Sequence, residues 1–525
     1  MDGSEMSYRA DAGPSEPGRD TRDGSTQTDS RIQGFGPRLS KVNLFTLLSL
    51  WMELFPQEQR EEEEEEEEGD RHEIRRTGLV VARDSKVVGL HCSGPELHAG
   101  QAAIILHGAC LADCQLYFSR RPCASCLKMI INAGVSQISF WPGDPEVSML
   151  GPASASHSSS RGPPDGITEE AALDAVATEK LKSNSRPHIC VLLQPPALGL
   201  AQFVDETSRE CDFLQRMSDD EPGLNTEELF DGERTRRLED FSRRLLVRTS
   251  EQHREILTHM GLENFCVEPN FSNLRHNMRE LVELLAAVVA GVPQQRYGFH
   301  REQDSTPAPS LPPHHEGLSQ DVARHCIIQA RLLAYRTEDP KVGVGAVIWA
   351  KAPSAASDGT GSLSLVGCGY NAYPAGSHYA EYPQMDNKQE DRQRRKYRYM
   401  VHAEQNALTF RTRDIKPEEP AVLFVTKCPC DQCVPLIRGA GITHIYTTDR
   451  DRDKDKGDIS YLRFGSLKSI NRFIWQRSPS LVSPSSPPHA NGCVGKRSGP
   501  AEQDSHRRKK LCANRPRDPL QASLP

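Results

Sequence analysis

Apolar and polar positions alternate with two different periods along two stretches of the chain. In the first stretch a helical pattern covers residues 41–55, with Ser40 placed to act as its N-cap. Further helices are predicted to begin at His98 and Cys123. Short apolar runs between them predict strands at 78–81, 87–90, 115–118 and 137–140.

The second stretch repeats this order of elements. A helix is predicted over 320–335, where Val322, Ile327 and Leu332 recur near helical spacing, and others at His402 and Cys430. Strands are predicted at 345–349, 363–368, 422–426 and 444–448. Strands separated by helices of about ten or more residues indicate a layered α/β domain rather than a bundle or a sandwich.

Composition shifts divide the chain. With 37 Pro, 38 Gly and only 37% apolar residues among 525, much of it is expected not to pack. The predicted organisation is a disordered tail (1–39), a first domain (40–195) with a Glu run (61–68) and a disordered insert (about 143–186), a helical connector (196–302), a Pro-rich linker (303–316), a second domain (317–476) and a disordered basic tail (477–525).

Several classes of protein are disfavoured by composition. No window supplies the roughly 18 or more apolar residues of a membrane span, so no membrane partner is expected. The polar, acidic N-terminal segment does not resemble a signal peptide, so the 15 cysteines are expected in a reducing compartment, where clusters point to metal binding or catalysis. The net charge of -8 gives no general affinity for nucleic acid.

An internal repeat is visible in the residues. His-Ala-Gly-Gln-Ala-Ala from His98 aligns with His-Ala-Glu-Gln-Asn-Ala from His402, an offset of 304 (402 minus 98). Pro-Cys-Ala-Ser-Cys around Cys123 aligns with Pro-Cys-Asp-Gln-Cys around Cys430, an offset of 307 (430 minus 123). Two copies of one domain explain this better than coincidence does.

In the second copy, His402, Cys430 and Cys433 can supply one imidazole and two thiolates to Zn²⁺. Three protein ligands leave the fourth tetrahedral position open for water, as in catalytic zinc sites. Glu404 can reach that water and move its proton without binding the metal. Cys-x-x-Cys alone also fits a redox pair, a structural zinc site or chance. The 28 residues from His402 to Cys430 (430 minus 402) leave room for one helix and one strand, which favours the catalytic zinc site.

These motifs resemble those of the cytidine and deoxycytidylate deaminase family, whose signature is His-x-Glu followed by Pro-Cys-x-x-Cys. The resemblance covers about 320–474, and segments 339–346 and 369–376 are similar to the family's first strand entry and to the substrate loop of its deoxycytidylate branch. It implies two three-layer α/β/α domains joined by the connector, and a homo-oligomer.

The resemblance also implies an activity: zinc-dependent hydrolysis of the cytosine 4-amino group in cytidine, deoxycytidine or their nucleotides (dCMP, dCTP), within pyrimidine nucleotide metabolism. Glu404 would be the acid/base, and the main chain at Ala403 and near Cys430 would hold the pyrimidine edge. Asn371 would hydrogen-bond the sugar; the alternative is a turn residue selected for its backbone conformation.

A basic segment precedes His402 and contains Arg392, Arg394, Arg395, Lys396 and Arg398, interleaved with Tyr397 and Tyr399. It can be read as a phosphate clamp, chiefly Arg395 and Arg398 with Lys341, or as a stripe that binds RNA or single-stranded DNA. A solvated loop is the third interpretation. The similarity of segment 369–376 to the deoxycytidylate substrate loop favours a free nucleotide. A nucleoside or nucleotide deaminase is therefore the first hypothesis, a nucleic-acid-editing deaminase the second, and a non-catalytic zinc-bound scaffold the third.

The first copy is expected not to be catalytic. It retains His98, Cys123 and Cys126 as candidate metal ligands, but Gly100 stands at the acid/base position and cannot move a proton. Ser93 stands only five residues before His98 (98 minus 93), where the second copy has Asn371 at 31 (402 minus 371). We expect this domain to bind zinc structurally or not at all.

Two segments suggest movement between cytoplasm and nucleus. Lys496, Arg497, Arg507, Arg508, Lys509 and Lys510 have the layout of a bipartite import signal. Leu274, Met278, Leu281 and Leu284 lie on one face of a predicted helix, as in an export signal, although core packing accounts for that stripe equally well. Import and export receptors are the expected partners.

Overall fold

The computed structural model describes residues 37–57, 76–147, 169–191, 193–302, 317–337, 339, 343–351, 359–376, 382, 392–455 and 458–478. The predictions for the N-terminal tail up to residue 36, the Glu run, Lys341, the Pro-rich linker and the import signal therefore lie outside the described residues.

Helices account for much of the described chain. Their bounds are α1 Lys41–Glu53, α2 Ala99–His107, α3 Ala124–Asn132, α4 Glu169–Asn184, α5 Leu200–Arg209, α6 Asp212–Asp220, α7 Thr226–Leu245, α8 Ser250–His259, α9 Asn270–Ala290, α10 Gln320–Ala334, α11 Ala403–Thr409, α12 Cys433–Gly439 and α13 Leu462–Gly465.

Strands form two sheets. Their bounds are β1 Gly78–Arg83, β2 Lys86–Cys92, β3 Gln115–Phe118, β4 Gln137–Phe140, β5 His188–Cys190, β6 Tyr297–Arg301, β7 Gly345–Lys351, β8 Leu363–Tyr370, β9 Ala421–Val425, β10 Ile442–Thr447 and β11 Asn471–Arg477.

The two sheets have the same topology. The first has the order β2-β1-β3-β4-β5, and the second has β8-β7-β9-β10-β11 with β6 added at the β11 edge. In each sheet, taken in this order, the first two strand pairings are antiparallel and the following two are parallel. This shared pattern confirms the mixed α/β fold and is the structural counterpart of the repeated motifs. We call the two units the first and second repeats.

Local sequence predicts most elements, and two differences have physical causes. The helix expected from Cys430 begins at Cys433, because Pro435 lacks an N–H and is tolerated in the first turn of a helix but not deeper.

Residues 169–184, expected to be part of a disordered insert, form α4. Asp174 on α4 pairs with Arg121 at 3.2 Å and accepts from the main-chain N–H of Ala124 at 2.7 Å, which holds the helix on the first repeat.

The larger of two apolar clusters among the described residues runs through both repeats and the connector. Every residue of α10 from Val322 to Leu333 is buried, since α10 lies among its own sheet, α1 of the first repeat and α9 of the connector. No helix in the described part of the chain combines the length and apolar character that crossing a membrane would require.

The stripe considered as an export signal lies inside this cluster. Leu274, Met278, Leu281 and Leu284 project from α9 and are all buried. A receptor could not reach these side chains while α9 is packed, so the structure favours the core-packing alternative and argues against the export signal.

Candidate metal centre

His402 is the N-cap of α11, and its extended backbone conformation turns the chain into the helix. Its main-chain N–H donates to Oε1 of Gln405 at 2.8 Å, which fixes the cap. Asn406, on the next turn, donates from Nδ2 to the carbonyl of Tyr370 at 2.8 Å and ties α11 to the end of β8. The imidazole is thereby held at one end of the sheet.

The two cysteines approach the imidazole from the neighbouring segment, with Cys430 in the loop after β9 and Cys433 at the first position of α12. The N–H of Cys433 donates to the carbonyl of Cys430 at 3.0 Å, and this turn brings both sulfurs to the same side. The Sγ atoms lie 3.7 Å apart, and Nδ1 of His402 lies 3.2 Å from Sγ of Cys430 and 3.3 Å from Sγ of Cys433.

These distances suit a tetrahedral metal ion. Zn–S bonds of about 2.3 Å and Zn–N bonds of about 2.1 Å at tetrahedral angles separate two sulfurs by about 3.8 Å and sulfur from nitrogen by about 3.6 Å. The hydrogen bond with the Cys433 sulfur, with a second from His402, lowers the pKa of the Cys430 thiol below its ordinary value. Thiolate is the form that binds zinc, so the lowered pKa of Cys430 suits metal binding, and the distances among the three predicted ligands fit the ion.

Glu404 occupies the first turn of α11, two residues after His402, and its side chain is buried. Burial raises the pKa of its carboxyl to about 7, because the charged form loses hydration. Glu404 lines the same cavity as His402 and Cys430 but is outside the three-residue cluster of candidate ligands. A carboxyl whose pKa is near neutral pH, beside an open metal position, can both accept and donate a proton.

The cavity beside this cluster contains two of the predicted substrate contacts, Asn371 and Ala403. Asn371 also has a structural task, because its Oδ1 accepts from the main-chain N–H of Val344 at 2.8 Å and from Oγ1 of Thr337 at 2.7 Å. Its Nδ2 faces the sulfur of Met400 at 3.3 Å, a weak acceptor. Asn371 is therefore a loop anchor whose amide borders the cavity.

The basic segment is placed differently from the predicted phosphate clamp. Arg395 and Arg398 pair with the carboxylate of Asp458, at 2.9 and 3.5 Å, and neither lines the cavity. Lys396 is buried against Asp339, with Nζ and Oδ1 2.7 Å apart. The segment is thus tied to acidic partners of its own domain.

Sequence reasoning missed other residues of the cavity. Lys427 and Tyr461 line it, and Lys427 pairs with Asp212 of the connector at 3.1 Å. Lys427 has a signal in the sequence: it follows β9 by two residues, and ligands of open α/β sheets bind at the carboxyl ends of strands. Tyr461 lies in a loop whose pattern carries no comparable signal.

The first repeat gathers the corresponding residues. Nδ1 of His98 lies 3.4 Å from Sγ of Cys123, and the ligand atoms of His98, Cys123 and Cys126 all lie within 4.8 Å of one another. The same cluster includes Glu146, which the sequence did not single out. Gly100 is in the first turn of α2, the place that Glu404 has in α11.

The comparisons with known proteins agree with this geometry. Residues 321–448 match the family model described as the cytidine and deoxycytidylate deaminase zinc-binding region. Cytidine and dCMP deaminase domain-containing protein 1 of Danio rerio is 56% identical over 459 residues, which cover 87% of this chain and 93% of that protein. Deoxycytidylate deaminase of Homo sapiens is 32% identical over 156 residues, which cover 29% of this chain and 80% of that protein.

A solved structure, the dCMP deaminase of cyanophage S-TIM5 in complex with dCMP and dUMP, aligns with 30% of this chain and 98% of its own, at 21% identity and a TM-score of 0.21. The family resemblance noted in the motifs is confirmed by the sequence matches, of which the Danio rerio relative spans both repeats. The chain belongs to the cytidine and deoxycytidylate deaminase family.

Proposed function

We propose that the second repeat is a zinc-dependent deaminase that hydrolyses the 4-amino group of cytosine in cytidine, deoxycytidine or their nucleotides, dCMP and dCTP, releasing ammonia and the uracil product. The observation that carries the proposal is the geometry of one imidazole and two thiols, gathered within 3.7 Å, with buried Glu404 in the same cavity. Such a reaction belongs to pyrimidine nucleotide metabolism.

His402, Cys430 and Cys433 would hold the zinc ion. Zinc with three protein ligands supplies the acidity that allows a water molecule to act as a nucleophile at neutral pH. The remaining steps fall to the residues of the chain.

Glu404 is the proton carrier in this proposal. It accepts a proton from the water that attacks C4 of the pyrimidine and passes it to N3. A second proton transfer to the 4-amino group allows ammonia to leave, so one water is consumed for each ammonia and uracil product. A pKa of about 7 suits both halves of this exchange.

Substrate orientation is assigned to the cavity wall. The main chain of Ala403, adjacent to Glu404, and the Cys430 loop line the cavity and would meet the polar edge of the pyrimidine. Asn371 borders the same space, and its Nδ2 can donate to a sugar hydroxyl without breaking the bonds that its Oδ1 accepts. The ring of Tyr461 lines the cavity as an aromatic surface.

The experiment compares the purified wild-type chain with the Glu404→Gln variant on cytidine, deoxycytidine, dCMP, dCTP and single-stranded oligonucleotides. We expect turnover of at least one free nucleoside or nucleotide, and a loss of about 10²–10⁴-fold in kcat in Glu404→Gln. Zinc content should be equal in the two proteins, because Glu404 does not belong to the ligand set.

Exposed Glu418 offers the matched control. Glu418→Gln removes the same charge at a surface position and should leave kcat unchanged. Turnover on oligonucleotides alone would replace the proposal with a nucleic-acid-editing deaminase, and inactivity on every substrate by zinc-loaded protein would favour the scaffold.

A further inference from the structure

The first repeat contains a carboxylate beside its three candidate metal ligands, where the fourth coordination position would otherwise be open. Oε2 of Glu146 lies 3.2 Å from Nδ1 of His98 and accepts from the main-chain N–H of Cys123 at 2.9 Å. One ligand atom from each of His98, Cys123, Cys126 and Glu146 lies within 4.8 Å of all the others. Among the described residues, the corresponding cluster of the second repeat has three members.

We propose that His98, Cys123, Cys126 and Glu146 form a closed, four-ligand structural zinc site. Four protein ligands complete a tetrahedral shell and leave no position for a reactive water, which is the distinction between structural and catalytic zinc. The S–N separation of 3.4 Å and the N–O separation of 3.2 Å are near the values of about 3.6 and 3.4 Å for tetrahedral zinc with bonds of about 2.0–2.3 Å.

Glu146 is held in place by its own backbone. Its main-chain N–H donates to the carbonyl of Arg121 at 3.0 Å, which joins the segment after β4 to the loop that contains Cys123. The side chain is 8% exposed, so its carboxylate is committed to the cluster rather than to solvent. The four ligands therefore come from three separate segments, and a zinc ion would link the start of α2, the start of α3 and the loop after β4.

Position 100, which corresponds to Glu404, leaves little room for a side chain. A Cβ atom at Gly100 would lie 3.0 Å from Cβ of Cys126 and 3.1 Å from Cδ1 of Ile130, closer than most real contacts. In the second repeat, the loop after β10 brings Asp451 to the cavity wall but not into the cluster of candidate ligands. The first repeat thus has glycine at the acid/base position and a fourth candidate ligand in its cluster.

Zinc content and zinc ligation test this site independently of deamination. The wild-type chain should contain two zinc ions per chain by elemental analysis, and a Cys430→Ser/Cys433→Ser chain should retain one. In that double variant, the further change Glu146→Ala should make the chain release zinc to a chelator at least about 10–100-fold more readily, since removal of a residue that only supports a ligand already costs that much. Glu96→Ala should not, since Glu96 is exposed, two residues from His98, and outside the cluster.

A ligand exchange keeps the test decisive if Glu146→Ala does not fold. Glu146→Cys would convert the site to three sulfurs and one imidazole, an established structural zinc set. X-ray absorption on the Cys430→Ser/Cys433→Ser background should report two sulfurs with Glu146 and three with Glu146→Cys. Absence of zinc from that background would overturn the site, and an unchanged sulfur number or unchanged release from Glu146→Ala would overturn the role of Glu146.

Discussion

The indole ring of Trp51 in α1 is stacked on the imidazole ring of His325 in α10, with ring centroids 4.5 Å apart and planes 9° from parallel. Nε1 of Trp51 also donates to the carbonyl of His325 at 3.0 Å. Because α1 belongs to the first repeat and α10 to the second, these contacts lie in a core that the two repeats share. The second repeat therefore depends on the first for the packing of its own helix.

Truncation of Trp51 should destabilise both repeats together. Trp51→Ala is expected to lower the free energy of unfolding by about 3–5 kcal/mol, because it empties a large buried site. Trp51→Phe keeps an aromatic ring against His325 and gives up one hydrogen bond worth about 1 kcal/mol, so it should cost less. Denaturant unfolding followed by circular dichroism and by loss of bound zinc would check this. Unchanged denaturant resistance of the second-repeat zinc in Trp51→Ala would contradict a shared core.

The buried ring of His325 should make stability depend on pH. Burial lowers its pKa well below the ordinary value, and the charges of Arg76 and Arg324 act in the same direction. The native ring stays neutral while the unfolded ring takes up a proton below about pH 6.5, so the unfolded state binds more protons. Stability is therefore complete above that pH and should fall by about 1 kcal/mol over the first unit below it.

His325→Phe isolates that contribution, because it keeps an aromatic ring on Trp51 and removes the titration. Unfolding free energies at pH 7.5 and 5.5 should differ less in the variant than in the wild type. His91, whose pKa burial lowers to about 3, adds a similar pH dependence that remains in both proteins. An identical difference in the two proteins would show that His325 does not contribute.

Short-range sequence patterns predicted the parts of the site that depend on spacing. His402, Cys430 and Cys433 come together because one helix and one strand separate them, and β3 and β4 have the predicted bounds. The pattern could not reveal which surface α1 covers, since its partner α10 lies far along the chain. It also missed Glu146, whose segment was grouped with a disordered insert because its composition is polar and rich in proline.

The sequence shows how many charged residues a segment contains, but not which partners they contact in the folded protein. Lys396 belongs to a run of basic residues typical of phosphate binding, yet in the structure it is buried in an ion pair with Asp339. The main-chain N–H of Asp339 donates to Oγ1 of Thr337, and that hydroxyl donates to Oδ1 of Asn371. A residue that looked like a substrate contact therefore supports the Asn371 loop from behind.

Replacing Lys396 should consequently affect folding more than phosphate recognition. Lys396→Met is expected to lower the free energy of unfolding by about 3–5 kcal/mol, since it leaves the buried Asp339 carboxylate without this counter-charge. Arg398→Met is the matched control: its 3.5 Å contact with Asp458 is half exposed and should be worth at most about 1 kcal/mol. Equal effects of the two variants in denaturant unfolding would contradict the structural role of Lys396.

Among the described residues, Lys427 lines the cavity beside Glu404 while Arg395 and Arg398 do not, so we predict that Lys427 is the phosphate contact. If dCMP or dCTP is a substrate, Lys427→Met should raise KM for the nucleotide about tenfold, the loss of one charge-assisted hydrogen bond, and leave KM for deoxycytidine nearly unchanged. The double variant Arg395→Met/Arg398→Met should keep the wild-type ratio of the two KM values.

The two assignments of the phosphate contact predict opposite changes in KM. Steady-state kinetics on deoxycytidine, dCMP and dCTP would distinguish them. Lys427 keeps its 3.1 Å ion pair with Asp212 in the structure, so a phosphate would have to share its ammonium with that carboxylate. Asp212→Asn should therefore lower KM for the nucleotide, because it releases Lys427 from competition. A nucleotide-specific rise in KM for the arginine double variant, with Lys427→Met unchanged, would restore the phosphate clamp predicted from the basic segment.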